Sequence, residues 1–68
     1  MMWTKADWQG LYAERSAIAE YDGGVSRKTA HTLAYASCIR EWLDQNPTGV
    51  YNEAVEALAA MNINKEKT

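Results

Sequence analysis

The sequence predicts an all-α fold, a small three-helix bundle with helix two central. Three observations carry this expectation. No stretch alternates apolar and polar residues long enough to read as a strand. Two breaks, Gly23-Gly24 and Pro47, divide the chain into three segments, and helix-start residues follow each break. The middle segment carries apolar residues on two faces, as a helix packed between two neighbours does.

Helix one is expected over 5–22. Thr4 is a suitable N-cap, and Asp7, three residues on, can reach back to it in a variant of the capping box. Trp3 then precedes the cap and Trp8 takes the fourth helical position, the spacing of a hydrophobic staple. Trp8, Leu11, Tyr12, Ile18 and Ala19 recur at helical spacing, with Arg15 on the same face. The stem of Arg15 suits apolar surface, with its head in water or paired with Glu14 or Asp22. Gly23 or Gly24 ends the helix, because glycine takes the left-handed conformation without a Cβ penalty.

Ser26 caps helix two, expected over 27–45. Pro47 stops it and biases Asn46 away from helical angles. Tyr35, Cys38, Ile39 and Trp42 form one apolar face with His31 at its upstream end, while Leu33, Ala36 and Leu43 form a second. Helix three is expected over 49–62, its stripe drawn from Tyr51, Ala54, Val55, Leu58 and Met61, with Val50 at the edge. Glu53 in its first turn suits the positive end of the helix dipole. Residues 63–68 are expected to form a flexible polar tail.

The chain has 68 residues, enough for one domain with a modest core. Three Trp and four Tyr, with no Phe, supply much of the apolar volume. One Cys and one His rule out an internal disulfide and a four-ligand zinc site, so no cofactor is expected. A net charge of -2 gives no overall electrostatic case for nucleic acid. No apolar run approaches a membrane span, and the first ten residues lack the apolar core of a signal peptide. Together with the unpaired cysteine, this points to the cytoplasm.

The run from Glu20 to Ala34 reads in two ways. Ala19-Glu20, then Gly24-Val25-Ser26-Arg27-Lys28-Thr29, follows the order of a helix-turn-helix. On that reading helix two presents Arg27, Lys28, His31 and Thr32 to the major groove. Against it, Asp22 and Gly23 stand where one apolar residue normally packs the two helices. Glu20 and Asp22 also place negative charge where phosphates would approach, and the basic pair is not part of a broader patch. On the other reading the run is a helix-to-helix corner. His31 and Cys38 share a helical face, as a Cys–His nucleophile pair would. No orienting group accompanies them, so the expected roles are a partly exposed histidine and a core cysteine.

The segment from Trp8 to Pro47 resembles small proteins of phages and bacterial mobile elements. The matching positions are Trp8, Tyr12, Glu14, Arg15, Ile18, Glu20, Tyr21, Asp22, Gly23, Gly24, Val25, Ser26, Arg27, Ala30, Ala34, Glu41, Trp42, Leu43, Asn46 and Pro47. Such proteins have no established activity, so the resemblance implies a bacterial or phage background and a shared fold rather than a chemistry. Its Glu-Arg and Tyr-Asp-Gly-Gly elements are expected to fix the angle between helices one and two. Relatives often end in a cysteine-containing tail, which this chain replaces with an apolar helix, so no metal role carries over. They also often carry acidic residues after Ser-Arg, where this chain has Lys28 and Thr29. That counts further against DNA reading by helix two.

The sequence therefore favours a non-enzymatic interaction module that binds another protein or itself. Its expected contact surface is an aromatic patch drawn from Trp3, Trp8, Tyr12 and Trp42, since Trp and Tyr anchor interfaces. DNA binding through Arg27, Lys28, His31 and Thr32 is the alternative.

Overall fold

In the computed structural model, which describes residues 3–63, three helices follow one another: α1 (Lys5–Tyr21), α2 (Arg27–Gln45) and α3 (Tyr51–Ala60). The first begins as its sequence dictates. Thr4 Oγ1 accepts the Asp7 amide at 3.2 Å, and Asp7 Oδ2 accepts the Thr4 amide at 2.8 Å. Both halves of the capping box are present, and two amides that the helix itself leaves unpaired are satisfied. The Trp3 and Trp8 rings lie 4.8 Å apart across this cap, completing the staple.

The corner between α1 and α2 is built from backbone. The Asp22 and Gly23 amides both donate to the Ile18 carbonyl, at 2.8 and 3.2 Å. Gly24 takes the left-handed conformation with φ 65°, so the second glycine makes the turn. Ser26 Oγ accepts the Thr29 amide at 3.2 Å and starts α2. Arg27 and Glu20, both positions of the resemblance pattern, pair across the corner at 3.6 Å. Of the two expectations for Arg15, its head in water is the one seen: Arg15 is exposed, and among the described residues the ion pair is Arg27–Glu20.

Helix α2 packs against both α1 and α3 and is the longest of the three, so it is central. Its buried surface is one broad arc, not two opposed faces. Ala30, Ala34 and Cys38 are fully buried and Tyr35 and Ile39 nearly so, whereas Leu33 and Ala36 of the expected second face are exposed and Leu43 is half-buried. Both neighbours lie within that arc, so the far side of α2 meets water. On α1 the buried positions are Trp8, Tyr12 and Ser16, spaced by four, with Ala19 half-buried. Ile18 falls off this stripe and is exposed. Small residues let two backbones approach closely, which suits Ser16 facing a helix whose fully buried positions include Ala30 and Ala34.

Helix α3 starts two residues later than the spacing suggests. The Gly49 amide donates to the Asn46 carbonyl at 2.7 Å, so Thr48 and Gly49 belong to a turn. Val50 is the N-cap residue, and its amide donates to Glu53 Oε1 at 3.0 Å. Glu53 thus satisfies a helix-start amide directly as well as suiting the dipole.

The end of α3 corrects the expected tail. Asn62 is left-handed, with φ 62°, the Asn62 amide donates to the Ala59 carbonyl at 3.0 Å, and the Ile63 amide donates to the Leu58 carbonyl at 2.9 Å. This is a Schellman closure, which brings the residue after the left-handed position back onto the helix. Ile63 is accordingly a core residue beside Leu58, not the first residue of a tail. Residues 64–68 of the expected tail lie outside the described residues.

One core joins the three helices: Trp8, Tyr12, Ala34, Tyr35, Cys38, Ile39, Ala54, Leu58 and Ile63. The backbones of α1 and α3 do not approach one another. Large side chains in the core span the gap, and Gln9 Nε2 donates to the Met61 carbonyl at 3.3 Å to tie the two ends.

Candidate interaction surface

The link 46–50 joins the end of α2 to the start of α3, while the start of α1 is tied through Gln9 to the end of α3 at Met61. Trp3 and Trp42 are half-buried, each packed against the core. The Trp42 indole packs on Gly49, and the Asn46 side chain caps the end of α2 at the Trp42 backbone carbonyl. The Asn46 side-chain amide donates to that carbonyl at 2.8 Å, and a Cβ at Gly49 would stand only 2.6 Å from the indole Cζ3. Beside it in the chain, Val50 is 58% and Tyr51 55% exposed. The cap and turn geometry place these two large side chains outside the stripe of α3, which is carried by Ala54 and Leu58.

The structure divides the four expected aromatic contact residues. Trp8 and Tyr12 are buried in the core, because they occupy the face of α1 that meets α2. They support the fold and offer a partner little surface. Trp3 and Trp42 retain exposed edges. Val50 and Tyr51, absent from the expected set, follow directly on the turn against which Trp42 packs. The sequence signalled only Val50, at the edge of the expected stripe; Tyr51 was expected on the stripe itself and is exposed instead.

The four expected DNA-contact residues lie together at the start of α2, but their groups are partly engaged. Arg27, Lys28 and Thr32 are exposed and His31 is half-buried. Arg27 faces Glu20, and the Thr32 hydroxyl donates to the Lys28 carbonyl at 3.1 Å. The His31 ring lies 5.6 Å from that of Tyr12, at 35° to it. An aromatic neighbour, rather than an outward-facing groove, is the first partner of that imidazole.

Cys38 is fully buried, and burial pushes its thiol up to about 11. The thiolate that nucleophilic chemistry needs is therefore scarce at neutral pH. Burial also raises the phenol of Tyr12, with the nearby Cys38 adding to the effect. The Tyr12 hydroxyl and Ser16 Oγ are buried without a protein hydrogen-bond partner among the described residues. No group of three or more His, Cys, Asp or Glu side chains able to hold a metal ion occurs among the described residues. No helix among them is long and apolar enough to cross a membrane.

No protein-family model, curated protein or solved structure matches this chain.

Proposed function

We propose that the protein is a non-enzymatic interaction module that binds another protein or a second copy of itself through the surface around the α2–α3 turn, bearing Trp42, Val50 and Tyr51. The observation that carries this reading is the exposure of Val50 and Tyr51 beside a half-buried, sterically held Trp42. Contact surfaces draw their affinity from a few aromatic anchors held in place before binding, ringed by less important contacts. A fixed indole with two exposed apolar neighbours has that character.

Site-directed photo-crosslinking tests it. A photoreactive residue at position 51 is compared with one at Glu14, an exposed site on α1. A discrete adduct from position 51 and not from 14 supports the reading, and its mass distinguishes a second copy from another protein. Equal adducts from both positions, or none from 51, refute it.

Duplex DNA is the weaker reading. It draws support from the exposed Arg27 and Lys28 at the start of α2, where the helix dipole favours phosphate. The Glu20 carboxylate beside Arg27 and the chain's net charge of -2 weigh against it.

A further inference from the structure

We draw no further inference here: the strongest candidate, the outer face of the α1–α2 hairpin where Ile18 and Leu33 are exposed, carries nothing because no feature of the structure shows what covers it.

Discussion

The indole of Trp42 occupies the space that a side chain at Gly49 would need: a Cβ there would lie 2.6 Å from Cζ3 and 3.0 Å from Cη2. The Asn46 carbonyl closes the other side at 3.1 Å. The turn into α3 and the pose of Trp42 therefore depend on one another. Gly49→Ala is expected to displace the indole and lower stability by about 1–3 kcal/mol, the usual cost of forcing atoms into a filled site. Denaturant midpoints give the stability, and the tryptophan emission maximum reports the displacement. An unchanged midpoint and spectrum would show that Trp42 is not held by this contact.

Ile63 is 3% exposed and follows a left-handed Asn62. Ile63→Ala should cost about 2–5 kcal/mol, as for other buried Ile-to-Ala changes. That would be a large share of the stability of so small a domain. Asn62→Ala should cost about 1 kcal/mol, because alanine tolerates the left-handed region poorly. Thermal unfolding of both variants checks the closure. If Ile63→Ala unfolds like the parent, the residue belongs to a tail after all.

Ser16 gains no hydrogen bond from its buried position. Ser16→Ala removes a desolvated hydroxyl and improves helix propensity, so stability should rise by about 1 kcal/mol. A loss of stability in chemical denaturation would mean that the hydroxyl is satisfied in solution.

The Cys38 thiol has a folded pKa of about 11 against an ordinary value of 9.0. Because the folded value is the higher, the folded state holds its proton where the unfolded chain has begun to lose it. Stability from this group is complete below pH 9.0 and is lost as pH rises towards 11. The slope approaches about 1.4 kcal/mol per pH unit between those values. Tyr12 and Tyr35, also raised by burial, add to the loss at the alkaline end. Unfolding curves across pH 8–10 should steepen with pH in the parent and flatten in Cys38→Ala. Thiol reagents should label the native protein only as fast as it opens.

On the leading reading, duplex DNA should bind weakly or undetectably even at low salt. Binding that weakens steeply with salt and again in an Arg27→Ala, Lys28→Ala variant would instead favour the DNA reading. Fluorescence anisotropy of a labelled duplex decides between them.

The helix starts at Thr4 and Ser26 and the staple were legible because each rests on local spacing, whereas the central place of α2 was inferred from a second apolar face, Leu33 and Ala36, that the structure leaves exposed. The faces were harder to read. Ser16 is buried and Ile18 exposed, the reverse of what their polarities suggest, because close packing on α2 selected a small residue over an apolar one. The Schellman closure was hidden because asparagine marks a left-handed residue less plainly than glycine does. Of the candidate surface, Trp42 could be named from the sequence. The separation of Trp3 and Trp42 from Trp8 and Tyr12 could not, since it depends on which edge of each ring the neighbouring helices cover.

Each helix is joined to the next by a five-residue link, 22–26 and then 46–50, and only sequential helices meet backbone to backbone. Contacts of this kind close short loops and so favour rapid folding. The first hairpin closes on its own short-range contacts, so it can assemble ahead of α3. The last helix then needs only to dock on a prepared surface, with Ile63 closing the assembly behind it.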